Sequence, residues 1–176
     1  MSAVTATHLA SAFPSALTII AALLLILAAG FDILTRIIPN PIPLGMAAVG
    51  LALRALDGTL PWAVLAAGIV FTITLLCWLR GWMGGGDVKL LAASALLVPP
   101  ISVFPMVTMV GVVGGVLALV YLTARRVVSP PSSAAAAVRP RSFLARALRA
   151  ERWRLARGTA LPYAVAIAIG GLIYIP

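Results

Sequence analysis

Acidic residues are scarce in this chain: four among 176, namely Asp32, Asp57, Asp87 and Glu151. Sulfur and imidazole are scarcer still. Cys77 is the single cysteine, so an internal disulfide and a thiolate zinc site are both excluded. His8 is the single histidine, and it sits in the N-terminal tail ahead of the apolar runs, away from any serine it could activate as a base. No H-E-x-x-H element is present, and the glycine run at 84–86 leads into Asp87 and Val88 where a phosphate loop would place Lys and Ser or Thr. The opening residues lack a positive n-region, and no small-residue cleavage site follows the first apolar run, so no removable signal peptide is expected.

Hydrocarbon is what the chain has in excess. It is 62% hydrophobic and 10% charged, with a mean hydropathy of +1.13, whereas soluble domains are about 45–50% apolar. The expectation is an all-α integral membrane protein forming a single membrane-embedded domain over residues 1–176. The net charge of +9 is concentrated, because nine of the thirteen basic residues lie in a basic loop at about 124–158. A polybasic segment between apolar runs fits cytoplasmic placement and anionic lipid headgroups, and no nucleic-acid partner is expected.

A membrane crossing takes about 20 apolar residues, within a range of about 17 to 25. Residues 12–34 meet that requirement, and the run closes at Thr35 and Arg36 before Pro39 disfavours helix at Ile38. Asn40 then stands as an N-cap, with Pro41 at the first helical position of a short run at 41–56 that ends on the turn signal Asp57-Gly58. Residues 61–79 form a third run. The fourth, 88–98, opens on Asp87 and stops at Pro99-Pro100. It is too short to cross alone, so it either starts earlier within the glycine loop or lies where the membrane is thinned or protein-lined. Residues 101–122 form the fifth, where Gly111 and Gly115 have a spacing suited to helix packing. After a Pro-, Ser- and Ala-rich linker at 129–140, residues 142–157 read either as an interfacial amphipathic helix or as a solvated basic loop. Residues 159–175 form the sixth run, and a bundle of about six transmembrane helices is expected. With the N-terminus outside, twelve of the thirteen basic residues fall on the cytoplasmic side and Arg54 alone on the other.

Two of the acids adjoin these apolar runs, Asp32 at the end of the first and Asp87 at the start of the fourth. An ionisable side chain costs about 2.5–3.5 kcal/mol at mid-span and less near an end, which makes both functional-site candidates. The expected topology sets them at one level, facing the cytoplasm. Two carboxyls that share a site do not both ionise readily, so one keeps a proton. The ionised partner can activate water toward a peptide carbonyl while the protonated one polarises that carbonyl, with no metal and no organic cofactor. Gly84, Gly85 and Gly86 leave the backbone ahead of Asp87 clear of side chains, so that an extended substrate can approach. Lys89 and Arg36 are candidates for orienting a substrate or tuning the pair. Plain structural readings stand beside these: Asp87 as an N-cap near Lys89 or Arg80, Asp32 paired with Arg36 at i, i+4, Asn40 as a cap, and Tyr163 as an interfacial belt residue.

These residues resemble a known family. GGGD at 84–87 fits the GxGD signature of intramembrane aspartic proteases, and GWMGGGDVKLLAA at 81–93 is similar to the second aspartate motif of the type IV prepilin leader peptidases. DILTRIIPN at 32–40 resembles that family's first aspartate motif, and LPYAVAIA at 161–168 the proline-tyrosine element of its last span. The resemblance implies that Asp32 and Asp87 are the catalytic pair of an endopeptidase that removes the short basic leader of a prepilin or pseudopilin at the cytoplasmic face of a bacterial inner membrane. Larger members also N-methylate the new N-terminus and carry paired cysteines in an N-terminal cytoplasmic region. With Cys77 alone and an apolar run from the outset, this chain looks more like the small peptidases of Flp-type tight-adherence pili, and the methyltransferase activity is not carried over. Two other classes stay open: an ion-coupled transporter or proton-relay subunit using Asp32 and Asp87, and a scaffold that recruits lipid or partners through its basic loop.

Overall fold

The computed structural model describes residues 3–127 and 161–176, with side chains at 15–126 and 161–176. Among the described residues there are six α-helices, one short 3-10 turn and no strand: α1 (Ala3–Thr35), α2 (Pro41–Leu56), α3 (Leu60–Leu79), α4 (Gly85–Leu97), the turn Pro100–Ser102, α5 (Val103–Val127) and α6 (Tyr163–Tyr174). The chain is therefore an all-helical multi-pass membrane protein. Three stretches, Ser15–Thr35, Leu60–Leu79 and Pro100–Arg126, are long and apolar enough to cross a membrane by length and composition. Their large side chains face outward, as Leu23 and Ile26 do on α1, Leu65 and Ile73 on α3, and Phe104 and Leu119 on α5. In a bilayer such faces meet acyl chains as apolar as themselves.

The other three helices are shorter, at 16, 13 and 12 residues for α2, α4 and α6. A 13-residue helix is about 20 Å long, well below the roughly 30 Å of hydrocarbon. Protein lining resolves the mismatch for α4, which carries buried Val88, Leu90, Leu91, Ala93, Ser94, Ala95 and Leu97. Its one interior hydroxyl, Ser94 Oγ, donates to the Leu90 carbonyl at 2.8 Å and is satisfied within the helix. Close approach to α4 depends on Gly50 of α2, where a Cβ would lie 2.7 Å from the Leu96 carbonyl carbon.

The helices fall into two groups. α2 and α3 pack on α4, while α1 and α5 pack on α6; α1 against α2 and α4 against α6 join the groups. Ala21, Leu25, Met46, Leu90, Met106 and Ile167 belong to one core running through both.

Several boundaries differ from the sequence expectation. α1 begins at Ala3, so His8 lies within a helix and not in a tail. α4 begins at Gly85, before Asp87 and inside the glycine run, the earlier start that its short apolar stretch left open. α6 begins only at Tyr163, because Pro162 holds the preceding backbone out of helix. Gly111 and Gly115 meet nothing within 4 Å, and the packing glycines are Gly114, beside the Tyr163 ring, and Gly170, beside Val110. The linker at 129–140 and the stretch at 142–157 lie outside the described residues.

Candidate active site

Asp32 sits one turn before the end of α1, buried at 6% exposure. A carboxyl there must be met by donors, and one comes from another helix: the backbone N–H of Ala164, in the first turn of α6, donates to Asp32 Oδ2 at 3.1 Å. The first N–H groups of a helix have no partner within it, so the start of α6 has donors to offer an acid. Pro162 and Tyr163 set where that start falls.

Asp87 occupies the third position of α4 and is half-buried. Gly84 is the N-cap, with extended backbone at φ −72° and ψ 143°, and its N–H donates to the Asp87 carboxylate. An acid at this position reaching back to the N-cap amide forms one half of a capping box. The reading of Asp87 as the N-cap is thus corrected: Gly84 holds that position, and Asp87 lies within the first turn, two residues past the helix start. Gly84 leaves the room for this, since a Cβ there would lie 2.9 Å from Asp87 Oδ2.

The two acids meet. Asp32 is close enough for its negative charge to oppose that of Asp87, and Arg36 is close enough to favour it. Asp87 and, from the end of α3, Cys77 lie near Tyr163. The C-terminal end of α1, the N-terminal ends of α4 and α6 and the C-terminal end of α3 therefore converge on one polar spot in an apolar body.

Arg36 ends α1 in the left-handed region, at φ 59°, the one non-glycine residue there among those described. Its N–H bonds the Asp32 carbonyl at 3.0 Å, and its Nη2 donates to the Tyr121 hydroxyl of α5 at 3.4 Å. Left-handed backbone costs an ordinary residue about 1–2 kcal/mol, and such strain clusters where a side chain is needed in a fixed place.

Lys89 lies two residues beyond Asp87 and is turned to another partner, its Nζ donating to Asn40 Oδ1 at 3.1 Å. Asn40 holds the N-cap position of α2 without a side-chain cap bond. Pro41 and Pro43 carry no N–H, and the Ile42 N–H already bonds the Pro39 carbonyl at 3.0 Å. With no first-turn donor left to cap, the Asn40 side chain is available to Lys89.

Gly85 and Gly86 are spacers against side chains: a Cβ would lie 3.2 Å from Trp78 Nε1 at Gly85 and 3.3 Å from Ile38 Cδ1 at Gly86. Three participants escaped the sequence reading. The Ala164 N–H is backbone and leaves no residue signature; Tyr121 and Cys77 are single residues inside apolar runs, with nothing beside them to mark the contact.

Residues 19–119, more than half of the chain, match the type IV leader peptidase family. Neither the curated proteins nor the solved structures compared with the chain gave a match.

Proposed function

The chain belongs to the type IV leader peptidase family, and from that membership we propose that it is an aspartic endopeptidase in which Asp32 and Asp87 jointly activate water to cut a prepilin leader. The observation that carries the reading is the convergence of these two acids from separate helices, each held by a backbone N–H, Ala164 for Asp32 and Gly84 for Asp87. Neither amide is consumed by chemistry, so both fix geometry throughout a turnover.

In the proposed reaction one carboxyl is ionised and its partner protonated. The ionised member takes a proton from water as the water oxygen bonds to the scissile carbonyl carbon, and the protonated member passes its proton to the carbonyl oxygen. Collapse of the tetrahedral species breaks the C–N bond: the proton gained from water goes to the leaving amine, and one hydroxyl proton of the gem-diol returns to the second carboxyl as C=O reforms, which restores the pair. Each step is general acid–base catalysis, whose usual contribution is about 100- to 10,000-fold per group.

Charge supports a cytoplasmic site. Arg36 and Arg80 stand at the ends of α1 and α3, Lys89 near the start of α4 and Arg125 and Arg126 at the end of α5, all at the level of the two acids, while Arg54 lies at the far end of α2. That asymmetry fits the positive-inside pattern and supports a bacterial inner-membrane protein with its acids inward. Within the family, a Flp-type prepilin is the substrate we propose.

The test is co-expression of a Flp-type prepilin with the wild type, with Asp32→Asn and with Asp87→Asn, read by mass spectrometry of the pilin N-terminus. Asparagine keeps an oxygen for the Ala164 or Gly84 N–H and removes the titratable proton. Processing is expected to fall by about 100-fold or more in each variant while protein levels hold. Processing that persists in either variant removes that residue from the mechanism.

A further inference from the structure

α2 and α3 each pack tightly on α4 but touch one another little. The gap between them is an open groove of about 600 Å³. Buried Ala67 and Ala93 form its floor, and exposed Leu44, Leu51, Val64 and Phe71 its rims. Only one end is polar, where Lys89 and Asn40 are joined by their 3.1 Å hydrogen bond, and no acid lines it.

We infer that this groove is a binding site for one anionic phospholipid, with an acyl chain laid between α2 and α3 and the phosphate on Lys89 and the Asn40 amide. Length supports a lipid over a peptide helix. From Asn40 to Leu51 the groove runs about 16 Å along α2 at 1.5 Å per residue, which is one leaflet of a hydrocarbon core about 30 Å thick. A membrane-crossing helix would need the whole thickness. Charge supports an anion: a lysine ammonium has three donors, of which Asn40 Oδ1 takes one, and the same cation repels a basic peptide leader. The inference is independent of the peptidase chemistry, since neither Asp32 nor Asp87 lines the groove.

The experiment uses the full-length protein in nanodiscs of phosphatidylcholine with graded phosphatidylglycerol, and native mass spectrometry counts the lipid retained on release. The wild type is expected to keep one phosphatidylglycerol in preference to phosphatidylcholine. Lys89→Gln should cut that preference by about fivefold, the usual effect of one basic residue at a lipid surface. Gly68 lines the groove, and a Cβ there meets nothing within 4 Å, so Gly68→Leu should add bulk to the groove and lower retention of both lipids alike. Arg80→Gln removes an exposed cation outside the groove and should change nothing. Equal retention of the two lipids by the wild type overturns the site. So does an Arg80→Gln loss as large as that of Lys89→Gln, which would make the preference a property of the whole basic surface, or full retention in Gly68→Leu at unchanged thermal stability.

Discussion

A buried carboxyl in an apolar body is tolerable only where donors meet it, and Asp32 depends for one of them on the position of another helix. The start of α6 is positioned partly by Gly114, whose missing Cβ admits the Tyr163 ring; a methyl there would lie 2.6 Å from Tyr163 Cε2. Gly114→Ala should push the ring away and carry the Ala164 N–H off Asp32, with an overpacking cost of about 1–3 kcal/mol and a clear drop in prepilin processing. Gly115, one residue on, faces open space, so Gly115→Ala should stay within about 0.5 kcal/mol of the wild type and process normally. Thermal melts in detergent alongside processing assays distinguish the two variants. Equal behaviour would remove Tyr163 packing as the device that sets α6.

Among the helices, α2 shows how local signals and distant contacts divide the work. Its limits, Pro41 and Leu56, were legible because a proline at the first position and an Asp-Gly turn act within a few residues. The start of α4 was not, since three glycines have no local preference that marks a helix; the turn forms because Asp87 closes back on Gly84. Equally hidden was the docking of α6 on Asp32, a contact between residues 132 positions apart made by a backbone amide. At the far end of α2, Arg54 is buried at 2% exposure and pairs with Asp57 at 2.7 Å. Although burial pushes the Asp57 carboxyl up, the hydroxyl and N–H of Thr59 and the Arg54 guanidinium together hold it below the ordinary carboxylate range. A depressed value means stability that is present above the unfolded-state value of about 4 and lost as pH falls through the folded one. Asp57→Asn should therefore cost about 1–3 kcal/mol near neutral pH, less than a fully buried pair because Asp57 is part exposed. The gap between variant and wild-type melting temperatures should close as pH is lowered toward 3, a span set by the carboxylate range. A gap that stays constant with pH would show that the ion pair does not hold the α2–α3 turn.

For the molecule as a whole, the apolar surface and the asymmetry of charge were legible from composition, whereas the pairing of helices into two groups was not, because small residues scattered over several helices do not reveal which of them will face one another. The proposed topology has a direct test. On a Cys77→Ala background, Trp82→Cys and Ile101→Cys place thiols at exposed positions, 72% and 88% in the native residues, on opposite ends of the bundle. A membrane-impermeant maleimide added to intact spheroplasts should label the position 101 thiol and reach the position 82 thiol only after lysis. The reverse pattern would turn the two acids outward and end the cytoplasmic reading.

The division into two helical groups passes between the acids, with Asp32 on α1 in one and Asp87 on α4 in the other. Tilting one group against the other alters the separation of the carboxyls before any helix loses a turn. On the proposed mechanism, bilayer thickness and lateral pressure, which act on such tilts, would bear on turnover, a mechanical input from the solvent into the chemistry.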